Sequence, residues 1–344
     1  MDYEEVKEKL LKDFNQGPIN VKVSGQLAST FMETRDHEGA LEILKKAVDI
    51  QETEETLTNL GYFYLYEGEP IDVDDRWDYQ IEKSIEILER ALMLNPVSYM
   101  SYSVLGEAYL RKKYFGEAEL VLRKAVDIEE TVPNLNNLGV ACYHLKKLEE
   151  AKIYFNKAHE LGLESKEKDD YSFYPLLNYG LSLAKLGQKK ASLEIADDLV
   201  KRLKSEFDEP SLVEIGFLYF ENAKYHQVIE TFERAFKSYE LYPEIFSCHV
   251  YALISEGLNE KAKQFYEEAV CKVYETIEDV KSDEDPDFKN ENRVAYIDSL
   301  KEKCGDFEEN YNKILKGIKP EIESFLPRIE KDCYLFGCFR HHPE

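Results

Sequence analysis

The chain has 344 residues, room for two ordinary domains or for one long repeat array. Lys and Arg number 44 against 69 Asp and Glu, a net charge of −25; such a surface repels phosphate backbones, which disfavours nucleic acid, and it steers cationic partners in. Hydrophobic residues make up 43%, enough to argue against disorder over most of the length, and no apolar run reaches the roughly 20 residues of a membrane helix.

The start, "DYEEVKEKLLKDF" (2–14), places Val6, Leu10, Leu11 and Phe14 at helical spacing, which predicts an N-terminal capping helix within residues 1–20. The same stretch is acidic where a secretory signal would be basic and then apolar. Six cysteines are scattered without a disulfide-framework spacing, as in a reducing compartment, so the expected location is cytoplasmic.

Two phrases then alternate along the chain. The first is "TNLGYFYL" (58–65), "SVLGEAYL" (103–110), "NNLGVACY" (136–143), "LNYGLSLA" (177–184) and "VEIGFLYF" (213–220), each centred on a glycine: Gly61, Gly106, Gly139, Gly180 and Gly216. The second is "HEGALEILKKAV" (37–48), "FGEAELVLRKAV" (115–126), "LEEAKIYFNKAH" (148–159), "YHQVIETFERAF" (225–236) and "NEKAKQFYEEAV" (259–270). Spacings of three, four and seven mark one helical face, so each unit reads as two amphipathic helices joined by a short polar turn. Small residues alternate with large ones because close helix crossing needs a hole for every knob.

"EGEPIDVDDRWDYQ" (67–80) makes the second unit longer than its neighbours, and the whole stretch reads as an insertion loop. A calcium loop would need Gly in its middle and a bidentate Glu at its end; Arg76 and Lys83 stand near those places instead. The stretch is therefore a surface insertion, with Trp77 and Tyr79 stapled over the helices, or a contact loop using Asp74, Asp75, Trp77 and Tyr79. Further on, "VKSDEDPDFKNEN" (280–292) reads as an acidic loop, and 311–336 puts Ile314, Ile318, Ile322, Phe325 and Ile329 on one stripe, the expectation being a C-terminal capping helix.

The alternating phrases resemble the tetratricopeptide repeat, most fully over residues 99–161. Units fall at about 21–54, 54–97, 99–131, 132–163, 173–208, 209–242 and 243–276, with a degenerate eighth over 290–320 that carries Asn310 and Gly317 where small alanines belong. The expected fold is all-α: an α-solenoid of about seven to eight tetratricopeptide-type hairpins with terminal capping helices. Its domains would be 1–20 (cap), 21–276 (array), 277–332 (degenerate repeat and cap) and 333–344 (tail).

The resemblance implies a groove lined by the first helix of each pair. In the relatives that clamp chaperone tails, a Lys stands three before the Gly and an Asn just after it. Here those places hold Thr58 and Tyr62, Ser103 and Glu107, Asn136 and Val140, Leu177 and Leu181, and Val213 and Phe217, so that clamp is missing. The groove is expected to be apolar and aromatic, through Tyr62, Leu65, Tyr66, Tyr143, Leu181, Phe217, Phe220 and Tyr251, with His144 and Arg111 nearby. Several of these have an alternative as packing between units. Asn59, Asn137 and Asn178, each two before a Gly, are placed to hydrogen-bond an extended backbone.

No nucleophile–base pairing or phosphate loop appears, and "HELGL" (159–163) has Leu163 where a zinc-protease helix needs its second His. His37, His144, His159, His226 and His249 fall in different units and are expected at the surface or in the groove. Cys333, Cys338, His341 and His342 are ligand types for zinc in an irregular spacing, so no metal is assigned and no cofactor is required. The expected function is non-enzymatic: a scaffold holding a peptide, a helix or a basic, cationic and amphipathic domain, in one version a neutralising partner of immunity or antitoxin type. The alternatives are a peptide-sensing regulator, which would lack the usual N-terminal effector since about 20 residues precede the first unit, and, least supported, an enzyme.

Overall fold

A computed structural model of the chain describes residues 3–16, 20–66, 76–164, 173–203, 209–235, 242–283, 290–323, 325–336 and 338. These residues form sixteen α-helices and no strand. They divide into two compact units, residues 1–175 with 328–344, and residues 176–327.

In the first unit α1 (Tyr3–Gln16) precedes four helical hairpins: α2 (Val21–Glu33) with α3 (His37–Ile50), α4 (Glu54–Tyr66) with α5 (Arg76–Leu94), α6 (Tyr99–Arg111) with α7 (Phe115–Ile128), and α8 (Val132–His144) with α9 (Leu148–Glu164). Helix starts follow from polar caps. The Asp36 carboxylate accepts from the Gly39 N–H at 2.9 Å, and the Ser98 and Thr131 hydroxyls accept from Ser101 and Asn134 N–H groups. Between the two helices of a hairpin one residue takes a left-handed conformation, Arg35, Lys113 and Lys146 in this unit, which lets the chain reverse over few residues.

Three of these hairpins close where a glycine of the first helix meets a large side chain of the second, and in α2–α3 Gly39 of the second helix meets Phe31 of the first. A Cβ at Gly139 would come within 2.6 Å of the Phe155 ring, and one at Gly61 within 2.7 Å of Leu88. The second-phrase alanines, Ala118, Ala125, Ala151 and Ala158, are fully buried at the same crossings. Successive first helices also touch, α2 with α4, α4 with α6, and α6 with α8. A buried carboxylate joins two of them: Glu54 of α4 accepts from the hydroxyls of Ser98 (2.6 Å), Thr58 (3.0 Å) and Ser101, so its charge is satisfied inside the protein.

The second unit repeats the pattern with α10 (Phe173–Lys185, whose residues from Leu176 lie here) and α11 (Lys189–Arg202), α12 (Glu209–Glu221) and α13 (Tyr225–Ala235), and α14 (Pro243–Ser255) and α15 (Asn259–Ser282). The left-handed turn residues are now Gly187, Ala223 and Gly257. The last helix, α16 (Asn290–Leu315), packs on α14 and α15 as a single helix rather than as a hairpin.

Two expectations are corrected here. Residues 311–336 do not form a capping helix, because α16 stops at Leu315 and the described residues beyond it are non-helical. The stop is built in: Gly317 is left-handed (φ 80°), its N–H bonds the Ile314 carbonyl at 2.8 Å, the Ile318 N–H bonds Lys313 at 3.1 Å, and Pro320 and Pro327 bar a restart. The insertion is also shorter than 67–80, since α5 already begins at Arg76 and takes Trp77 and Tyr79 into its first turn. Asp74 and Asp75, and the side chains of Trp77 and Tyr79, lie outside the described residues.

Candidate peptide-binding groove

In the first unit the segment 328–338 runs across the first helices in the order α8, α6, α4, α2. Asn137 on α8 donates its amide to the Glu330 carbonyl at 2.8 Å and accepts from the Glu330 N–H at 2.8 Å. Asn59 on α4 does the same with Phe336, donating at 3.2 Å and accepting at 2.7 Å. Each asparagine thereby grips both backbone groups of one residue, as a neighbouring strand would. Asn136 adds a bond to the Arg328 carbonyl at 2.9 Å.

The register has a simple origin. Neighbouring helices lie about 8–10 Å apart, so two helix spacings span roughly 16–20 Å. Six residues of extended chain, from 330 to 336, cover about 20 Å. An extended segment therefore advances one first helix for every three of its residues. On α6, midway between, the place taken by Asn59 and Asn137 holds Val104, and there a side chain enters instead: Tyr334 is buried beside Val104, Leu105 and Ala108. Its hydroxyl is buried without a hydrogen-bond partner among the described residues, and burial pushes it well above the ordinary tyrosine range, while Ser103 bonds the Tyr99 carbonyl and the Asn134 side chain. On α2, Gly25 leaves room for the Phe336 carbonyl, which a Cβ would strike.

A polar cluster flanks this path. Glu107 on α6 is buried; burial raises its carboxyl, and the Arg111 guanidinium at 2.6 Å, the Tyr66 hydroxyl and Lys331 act against that rise. Arg111 also donates to the Leu65 carbonyl at 3.0 Å and covers the Tyr66 ring, whose centroid is 4.6 Å away, while Lys331 of the segment lies 5.8 Å from the same ring. Tyr62 and Tyr66 are ring neighbours at 4.6 Å, and Tyr62 packs against Cys333, Leu335 and Cys338. Burial raises both phenols, so they remain neutral donors.

The other candidates divide between core and groove. Leu65 is fully buried in the interior. Tyr143 is buried with its ring edge-on to His144, which stacks on Phe115 at 4.0 Å; burial, then Lys146 and Lys113, lower its imidazole. In the second unit Leu181 and Asn178 are buried on α10. Phe217 packs between Phe232 and Phe325, Phe220 lies beneath Lys319 at 4.7 Å, and Tyr251 meets Phe220 and Tyr225. Lys319 and Phe325 thus lie against α12 as well, and the Glu323 N–H bonds the Glu244 carboxylate of α14 at 3.0 Å.

Two histidines depart from expectation: His249 and His159 are buried, while His226 is exposed. His249 belongs to a face of α14 that packs on Phe265 (4.5 Å) and Phe232 (6.1 Å), and burial lowers its pKa to about 3. Cys333 and Cys338 are buried close together, with Cys333 pushed well above the ordinary thiol range by the neighbouring Cys338 thiol and by burial; His341 and His342 lie outside the described residues. Among the described residues one trio of metal-ligand types converges, Glu119, Cys142 and Glu150. Arg123 and Lys147 occupy its carboxylates at 2.5–2.7 Å, and burial pushes the Cys142 thiol up to about 12.

Sequence reasoning missed Asn136, Gly25, Glu107 and the segment itself. The doubled "NN" at 136–137 and the prolines at 320 and 327 were the available signals.

Consecutive helical hairpins whose first helices share one face define a helical-repeat protein of the α-solenoid class. Three of the hairpins, α2–α3, α6–α7 and α8–α9, are matched by the family model described as tetratricopeptide repeat, over residues 21–54, 101–131 and 132–161. Among solved structures it is similar to a tetratricopeptide repeat protein from Parabacteroides merdae, with a TM-score of 0.54 and 15% identity over 88% of this chain and 99% of that one. It is also similar to the APC/C hetero-tetramer Cut9–Hcn1, with a TM-score of 0.57 and 11% identity over 91% of this chain and 52% of that one. At these identities the likeness is one of fold. A search of the curated proteins gave no match.

Proposed function

We propose that the first-helix face of the first unit holds an extended peptide segment of another protein, gripping its backbone through Asn59 and Asn137. The fold class is that of protein-interaction scaffolds. The observation that carries the finer reading is the pair of two-point asparagine contacts to the backbone of Phe336 and Glu330. Backbone gripping supplies affinity with little regard to sequence, and side-chain pockets between the grips supply selectivity. A cationic ligand is supported by the net charge of −25 and by the place Lys331 takes over Tyr66 beside Glu107. A neutralising role toward a basic toxin domain is one version of this reading and rests on charge alone. No helix among the described residues is long and apolar enough to cross a membrane.

The test is a displayed random-peptide library selected on the full chain. Enriched peptides should lose roughly thirtyfold or more in affinity on Asn137→Ala, since two hydrogen bonds worth about 1 kcal/mol each disappear and the peptide's own groups are left unpaired. Selected peptides that bind the variant as well as the parent would remove the groove from consideration.

A further inference from the structure

We infer that residues 328–338 are a resident pseudo-ligand of this groove, and that the external segment they stand in for is an extended peptide with a large aromatic side chain between two backbone anchor positions six residues apart. The inference rests on the proposed peptide-binding reading and names the ligand class for it.

Three features of the face make it a receptor for such a segment. First, Asn59 and Asn137 lie buried under the segment, and each pairs both the N–H and the carbonyl of one of its residues. Second, the two anchors bond the segment through its backbone alone, so any chain that can extend satisfies them as well as Glu330 and Phe336 do. Third, the repeat that lacks an anchor, α6 with Val104, offers an apolar pocket instead, and the Tyr334 ring fills it. The anchors fix the register and the pocket reads the side chain midway.

The segment belongs to the same chain, and tethering gives it a high effective concentration, in the millimolar range for short linkers. An incoming peptide then binds only the fraction of molecules whose groove is open, and its apparent affinity falls by that fraction.

The experiment uses the full chain and a fluorescein-labelled synthetic peptide of residues 326–338, kept reduced and followed by fluorescence anisotropy. Full-length Tyr334→Ala, with its own segment weakened, should bind the peptide at least tenfold more tightly than the parent chain does, and adding Asn137→Ala should abolish the gain. Equal affinity for the two chains, or binding to neither, overturns the inference. If library peptides bind through Asn137 while the 326–338 peptide binds neither chain, the peptide groove stands and the pseudo-ligand falls. Should Tyr334→Ala not fold, hydrogen exchange on the parent decides. The amides of Glu330 and Phe336 should exchange at least a hundredfold faster than those of Leu138 and Gly139 within α8. Exchange of all four only by global unfolding would make the segment a fixed part of the fold and overturn the inference.

Discussion

At the residue scale, the buried His249 contributes in two ways. Its ring fills space between Phe232 and Phe265, and it does so as a neutral imidazole because burial lowers its pKa to about 3. The unfolded chain, with an ordinary histidine value near 6.5, binds more protons between those two limits. The contribution is therefore complete above about pH 6.5 and is lost progressively as pH falls toward the folded value. At about 1.4 kcal/mol per pH unit the loss between pH 6.5 and 5 is roughly 2 kcal/mol. Urea unfolding at pH 7.5 and 5 should show this loss in the parent, and His249→Leu should show a markedly flatter dependence. An identical pH slope in both would place the acid sensitivity elsewhere.

Elements are held by crossings, and the α6–α7 crossing has no slack. A Cβ at Gly106 would already fall on the Leu122 side chain, which is fully buried. Gly106→Leu should cost roughly 1–3 kcal/mol or more through overpacking, read as a drop in urea midpoint with an unchanged slope. Gly116, in the first turn of α7, is the control. Nothing lies within 4 Å of a Cβ there, so Gly116→Ala should be neutral or stabilise by up to about 1 kcal/mol. If both variants unfold at the parent's midpoint, helix contact at the glycine is not what fixes the hairpin.

For the whole molecule, charge is the property that no single element carries. A net −25 attracts cationic ligands over distances comparable to the Debye length, about 30 Å at 0.01 M salt and 3 Å at 1 M. Association of a basic groove peptide, such as one selected from the library, should therefore weaken at least tenfold between those salt concentrations, chiefly through its association rate. Affinity that barely moves would confine recognition to the asparagine grips and the Tyr334 pocket, leaving the surface charge with another task.

The hairpins can be read from the sequence alone. Their period, their glycine-on-leucine or glycine-on-phenylalanine crossings and the turn positions are local patterns repeated along the chain, and local spacing is legible one unit at a time. The sequence also marked Asn59 and Asn137, because both stand at the same place in the repeat. What it misassigned was residues 316–336, where an apolar stripe at helical spacing outweighed Gly317, Pro320 and Pro327. That this stretch is non-helical, with Glu330 on Asn137 and Phe336 on Asn59, is visible only in the folded chain. Those contacts join residues nearly 200 and 280 positions apart. They depend on matching extended-chain rise to helix spacing, a relation that exists only once the hairpins have stacked.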